Sequence, residues 1–254
     1  MRAWSGWRGS LGLALLGGAA TVGAWWLVII AFDIESFLVP TPRAVLDAFL
    51  RWPGYLLENA WVTLTETVQG FVLTAAAGIL VGALLAASDL LARAMYPALV
   101  ALNAVPKLAF APLLLVWLGF GPGPKVVMAA LMCFFPIVLA TATGLSATPA
   151  ELIELTRSLS ASRWQTFTRV RWQAALPQIM VGLKTAMPLA VIGALVGELF
   201  GATAGLGFVI QNAGADTALA FAAIALLALM SIALFYALVL LEGRLVPWVR
   251  HTTA

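Results

Sequence analysis

Apolar and polar positions along this chain of 254 residues are segregated into blocks. Apolar runs fall at roughly 11–32, 61–87, 97–118, 125–145, 179–200 and 217–241, each close to the roughly 20 residues that cross a bilayer as a helix. The pattern predicts an all-α integral membrane protein with six transmembrane helices. The longest polar interruption, 148–177, separates the fourth run from the fifth. Within it, Thr148-Pro149-Ala150-Glu151 has the form of a capping box with proline at the first helical position, which predicts a helix start. Leu152, Leu155 and Leu159 then recur at three- and four-residue steps, as on one helix face. Ser160 is expected to end this helix and to cap a second one, whose mixed face carries Arg163, Trp164, Phe167 and Val170. Two short amphipathic helices with a bend between them fit a solvated loop, a pair lying on anionic lipid, or a docking element for another protein. The docking element is the reading adopted.

The remaining polar segments are shorter. Residues 33–61 hold Phe-Leu-Val-Pro-Thr-Pro and an amphipathic helix over about 43–52. A short inner loop is expected over 88–96. In the third run Pro106 and Pro112 remove backbone donors and predict local breaks. Residues 119–124 read as a tight turn, Pro188 is expected to break or bend the fifth span, and the glycine-rich 201–216 is expected to re-enter the membrane in part. For the first run a cleaved signal peptide competes, with Val22-Gly23-Ala24 as its cleavage site. The apolar run continues through Trp25 to Ile30, so a retained span is expected.

Composition narrows the function. The chain is 63% hydrophobic and 10% charged, against about 25% charged in soluble domains. One cysteine (Cys133) and one histidine (His251) exclude a disulfide framework, a zinc site and histidine-based catalysis built from this chain alone. The net charge of +3 reads as topology and not as affinity for nucleic acid. Arg2, Arg8, Arg93, Arg157, Arg163, Arg169, Arg171, Lys184, Arg244 and Arg250 fall on one side of the six-span arrangement, and Arg43, Arg51 and Lys125 on the other. The positive-inside rule then puts 148–177 and both termini in the cytoplasm of a multi-pass membrane protein.

Catalysis finds no support. A phosphate-cradling loop needs Gly-Lys followed by Ser or Thr, and the three lysines follow Pro106, Pro124 and Leu183. Gly119–Gly123 and Gly205–Gly207 lie between membrane runs and follow no strand, so they read as turn or gate glycines. The informative charge is Lys107, which costs about 2.5–3.5 kcal/mol at mid-span unless something solvates it. It either lines a translocation path or bonds carbonyls freed by Pro106 and Pro112. Gln69 and Asn103 either line that path or join helices. Glu198, like Glu66, either faces an outer gate or reaches interfacial water.

Segment 148–177 resembles the coupling loop of permease subunits of binding-protein-dependent ABC importers, whose signature is Glu-Ala-Ala, three residues, Gly, nine residues, Ile-x-Leu-Pro. Glu154 takes the acidic position, Ser160 the glycine position and Val170 the isoleucine position. Leu155 and Thr156 replace the alanines, Trp172-Gln173 stand for Leu-Pro, and Pro177 matches a second proline of one branch. The 105–125 and 196–210 segments resemble the branch serving nitrate, sulfonates, taurine and thiamine-precursor pyrimidines, with Gly-Phe-Gly-Pro-Gly-Pro-Lys nearer the pyrimidine members. The resemblance implies a type I importer permease as a single domain over 1–254. It implies a homodimer, two ABC ATPase subunits that bind ATP and magnesium, a periplasmic or lipid-anchored substrate-binding protein, surrounding lipid, and no cofactor of its own. It assigns ATPase coupling to Glu154, Leu159, Ser160, Ala161, Ser162, Arg163, Trp164 and Phe167. The translocation path would take Gln69, Asn103, Lys107 and Glu198. Readings from other classes are an ATP-independent secondary transporter or channel and a non-transport scaffold, neither of which needs a cytoplasmic docking knob.

Overall fold

The structure, a computed structural model, describes residues 3–248, and every regular element among them is helical. Helix α1 (Ala3–Ala31) precedes a short amphipathic helix, α2 (Pro42–Arg51). Thr41 caps α2, accepting from Ala44 N–H at 3.3 Å, and Pro42 opens it. Its Val45 and Ala48 are buried against Leu206, Val209, Ala222 and Ala223. Helix α3 (Pro53–Ala87) follows directly, starting before the expected 61 because Trp52 is a single-residue junction. Ser88 is the only break before α4 (Asp89–Ala104), so the inner loop expected over 88–96 is already helix. The break predicted at Pro106 is present. Extended Val105 precedes the proline, a 3-10 turn spans Lys107–Phe110, and α5 (Ala111–Leu118) leaves at 76° to α4.

Gly119 and Gly121 turn the chain at positive φ (73° and 149°) into α6 (Pro122–Ser146). After the polar segment, α9 (Trp172–Leu199) runs unbroken through Pro177 and Pro188, so the fifth span has no break at Pro188. The glycine-rich 201–216 forms a turn and a seven-residue helix, packed among α9, α3 and the last long helix. That last helix is α11 (Thr217–Leu245); the seven-residue helix is α10 (Leu206–Asn212), and the numbers α7 and α8 belong to the polar segment. Four helices among the described residues are long and apolar enough to cross a membrane, and the bent α4–α5 pair would be a fifth. The first expected span corresponds to α1, whose Leu16–Ala31 part is a shorter apolar helix. Arg2, Arg250 and His251 lie outside the described residues.

Helix α6 is the centre of the fold, because α3 and α9 both reach it through glycines. A Cβ added at Gly70 would meet Ala129, at Gly78 Ile137, and at Gly82 Thr141. The constant offset of 59 residues means that α3 and α6 run parallel and in register. On the other side Gly182, Gly193 and Gly197 abut Ala140, Ala129 and Lys125, so α9 runs antiparallel. The buried face of α3 is correspondingly small and polar (Thr63, Thr67, Gly70, Thr74, Gly78, Gly82), while Val72, Leu73, Leu80 and Leu84 are exposed. That inversion fits a lipid setting, where helices associate by close packing of small residues. Cys133 is buried here among Phe71, Ile137 and Ala186.

Lys184, counted from sequence on the cytoplasmic side, lies within α9. It is 6% exposed and pairs with Glu242 of α11 at 2.6 Å. Removing one member leaves a poorly solvated charge, which costs about 3 kcal/mol or more, whereas replacing both with apolar side chains is near neutral. Lys184→Met is therefore expected to lower the thermal midpoint in detergent sharply. The double variant Lys184→Met/Glu242→Met should recover most of the loss.

Candidate coupling surface and polar cavities

The polar segment forms a corner. Helix α7 (Ala150–Ser158) begins where expected, but not by the expected box. Thr148 Oγ1 donates backwards to the Leu145 carbonyl at 3.2 Å, and no side chain caps the start. At the other end Ser160 N–H donates to the Arg157 carbonyl (2.9 Å) and Ala161 N–H to the Thr156 carbonyl (3.0 Å). These two bonds make a Schellman motif with Ser160 as its left-handed residue, at φ 56°. Ser160 thus occupies the backbone state that favours glycine and does not cap the second helix. That cap is Ser162. It accepts from Gln165 N–H at 3.2 Å, and its own N–H donates to Gln165 Oε1 at 2.9 Å.

The second helix is not a separate short element. Helix α8 (Arg163–Thr166) passes through a π turn (Phe167–Arg171) into α9, so one helical rod runs Arg163–Leu199. Gln173, standing where the signature has proline, lies in the first turn of α9. Leu159 and Trp164 are 73% and 72% exposed and form the apolar tip of the corner. Glu154, Ser162 and Arg163 are exposed beside them, and Ala161 is half-buried. Phe167 is not a free knob. It stacks on Trp164 (6.0 Å), meets Trp172 at a tilt (6.4 Å) and packs on Leu145, Ala175 and Ile179.

Arg171 escaped the sequence reading. Its Nη2 donates to the carbonyls of Ala86 (3.3 Å) and Leu145 (3.1 Å), in the last turns of α3 and α6. Helix C-termini present free carbonyls and negative potential, so a guanidinium there joins three helices by charge and hydrogen bond. The one legible signal was a run of arginines directly before an apolar span.

Two cavities hold the remaining candidates. Lys107 and Asn103 share one of about 410 Å³, bounded by α4, α5 and α6 and otherwise apolar. Lys107 Nζ donates to Asn103 Oδ1 (2.7 Å) and to the Asn103 carbonyl (3.3 Å), which the end of α4 leaves free. The lysine therefore both bonds a freed carbonyl and borders a cavity. Gln69 is exposed on a second cavity of about 390 Å³, with Glu66 and Lys125.

Glu198 faces neither interfacial water nor Lys107. It is 0% exposed, accepting from Thr63 Oγ1 and from Gly207 N–H, both at 2.6 Å. Thr63 Oγ1 accepts in turn from Leu206 N–H (2.8 Å), and Asn59 Oδ1 from Gly205 N–H (2.7 Å). The free donors at the start of α10 are thus satisfied by α3 and α9, which ties the glycine-rich turn to the bundle. Asn59, Thr63 and Thr67 recur every four residues along α3, a periodicity that could have marked this face. No group of three or more His, Cys, Asp or Glu side chains among the described residues could hold a metal ion.

Residues 76–251 match the family described as the binding-protein-dependent transport system inner membrane component. The chain is 39% identical over 217 residues to the formylaminopyrimidine transport permease protein of Halalkalibacterium halodurans, covering 84% of this chain and 87% of that one. It is 36% identical over 228 residues to the riboflavin transport system permease protein of Chloroflexus aurantiacus, covering 88% and 85%. A solved inward-facing structure of the MetNI methionine ABC transporter superposes with a TM-score of 0.64 at 21% identity, over 78% of this chain and 97% of that one.

A left-handed serine is strained by about 1–2 kcal/mol relative to glycine. Ser160→Gly is accordingly expected to stabilise the corner by about 1 kcal/mol, seen as roughly fivefold slower amide exchange at Ser160 and Ala161.

Proposed function

The chain belongs to the family of binding-protein-dependent transport system inner membrane components, and from that we propose that it carries a small solute across the cytoplasmic membrane by alternating access, driven by an ATPase docked on the α7–α8 corner. It is the permease subunit of an ABC importer for small solutes and is not itself an enzyme. The observation that carries the finer reading is mechanical. The exposed tip, Leu159 and Trp164, sits on or next to a rod that continues into α9, and Arg171 joins that rod to the ends of α3 and α6.

In this reading two copies of the chain meet across the path, with an ATPase subunit under each and a binding protein on the opposite side. Leu159 and Trp164 fill an apolar groove of the ATPase, Glu154 and Arg163 fix its register by charge, and Ser160, Ala161 and Ser162 hold the angle between the two helices. Buried aromatic and apolar anchors carry most of the energy of such contacts. Phe167 seats the tip on the bundle, so a displacement of the ATPase moves α9 as a body and shifts the balance between two states. Lys107 and Asn103, at the break between α4 and α5, offer the polar groups of the path there, and Gln69 those nearer the far end. Glu198 enters this scheme as the residue holding the glycine-rich turn and not as a path wall. The solute belongs with those of its relatives, a pyrimidine precursor or related heteroaromatic, or a sulfonate-, taurine- or nitrate-like anion.

Replacing Leu159 and Trp164 together by alanine is expected to lower co-purification of the ATPase at least tenfold while the permease still inserts. Undiminished co-purification would refute docking at this corner. Arg171→Met should retain the ATPase but lose uptake while ATP hydrolysis continues. Lys107→Gln should reduce uptake severalfold in a complex that assembles normally, measured with radiolabelled solute in vesicles.

A further inference from the structure

Two buried carboxyl groups meet where α3, α6 and α9 converge. Glu66 lies twenty residues before Ala86 on α3, so the meeting point is about 30 Å from the α7–α8 corner at 1.5 Å per residue. Glu66 is 4% and Glu198 0% exposed, and the two side chains are hydrogen-bonded to each other. Glu66 stands one turn along α3 from Thr63, which donates to Glu198 Oε1, so both residues of α3 face the same carboxyl. Among the described residues Lys125 of α6 is the one other charged group facing the pair, and its Nζ donates to the Gly121 carbonyl. The segment 201–212, packed on the pair from the remaining side, holds no titratable side chain.

A hydrogen bond between two carboxyl groups needs a proton on one of them, since ionised carboxylates only accept. The surroundings decide which one carries it. Both oxygens of Glu198 accept, from Thr63 Oγ1 and from Gly207 N–H, each at 2.6 Å, as a carboxylate does. Glu66 Oε2 is buried without a partner. That is a heavy cost for an ionised oxygen and a smaller one for the carbonyl oxygen of a neutral acid. The charge count agrees. One proton leaves one carboxylate against one ammonium group, and without it an uncompensated charge would stand buried.

We infer that Glu66 is a protonated carboxylic acid donating to Glu198, and that this proton latches the turn at 201–207 onto the bundle. Glu198 is the anchor of the turn. It holds Gly207 N–H, and a Cβ added at Gly205 or Gly207 would run into its side chain, so the turn is seated directly on the carboxyl. Loss of the proton places two carboxylates in contact, and their repulsion parts Glu198 from Glu66 and from Gly207. Thr203 and Ala204 of the same turn wall the cavity of about 390 Å³ that Glu66 borders, so unlatching opens that cavity. Exposed Gln69 on the same wall marks a short route for the proton to solvent. The latched turn binds a proton that the released turn gives up, so the latch weakens as pH rises. This device operates whatever solute the chain carries.

The test is infrared spectroscopy and amide exchange on the full chain in an ester-free detergent, where no lipid carbonyl overlaps the stretch of a protonated carboxyl group. At about pH 7 exposed carboxyl groups are ionised, so a protonated-carboxyl band in wild type reports a buried acid, and that band is expected. Glu66→Gln should abolish the band and still fold, since the amide keeps a donor for Glu198. Glu66→Met removes the same proton with an apolar side chain of similar length and keeps the test decisive if Glu66→Gln does not fold. Protection of the Gly207 amide, corrected for intrinsic exchange, should fall about tenfold in wild type from about pH 6 to about pH 9. In the folded variant it should change less than about twofold. Absence of the wild-type band, its persistence in the variants, or a wild-type Gly207 amide whose protection ignores pH overturns the latch.

Discussion

Backbone approach at α6 is the constraint from which the architecture follows. Lipid tails are as apolar as leucine, so burying leucine between helices gains little inside a bilayer, and contact must come from packing and hydrogen bonds. Gly70, Gly78 and Gly82 on α3, with Gly182, Gly193 and Gly197 on α9, let both helices close on α6 without side chains between. A methyl group at most of these positions would overlap backbone or Cβ atoms of α6. Polar groups then fill what the glycines leave. Thr63 and Asn59 hold the α10 turn, and Lys184 joins α11 through Glu242.

The α7–α8 corner obeys a different rule, since its tip is exposed. Its helix ends are satisfied locally, by the Schellman bonds at Ser160 and the box at Ser162, so its angle is set within the chain itself. Arg171 then converts a local corner into a junction of three helices. The π turn at Phe167–Arg171 is the one irregular segment of the rod, and such turns are frequent at functional sites.

Much of this was legible from the residues and some was not. Block hydropathy located the long helices, because each needs about twenty apolar residues, and Pro106 marked the α4–α5 break. Pro188 broke nothing, because neighbouring helices can absorb a lost donor within a packed bundle. Ser160 was misjudged on chemistry: serine prefers caps, yet the two Schellman bonds hold it in a left-handed state that glycine would adopt at lower cost. The Thr148 box failed because its hydroxyl found the Leu145 carbonyl first. The partners of Lys184 and Glu198 were not legible, because both charges fall inside the apolar run 179–200 and only the tertiary structure supplies Glu242, Thr63 and Gly207.

The rod from Arg163 to Leu199 has a geometric consequence. It is 37 residues long, about 55 Å at 1.5 Å per residue, and its tie to α11 through Lys184 falls close to the midpoint. Arg171 holds the rod near one end and Glu198 near the other, so the tie at Lys184 is one of three, and the rod is braced along its length as a strut and not hinged at a point.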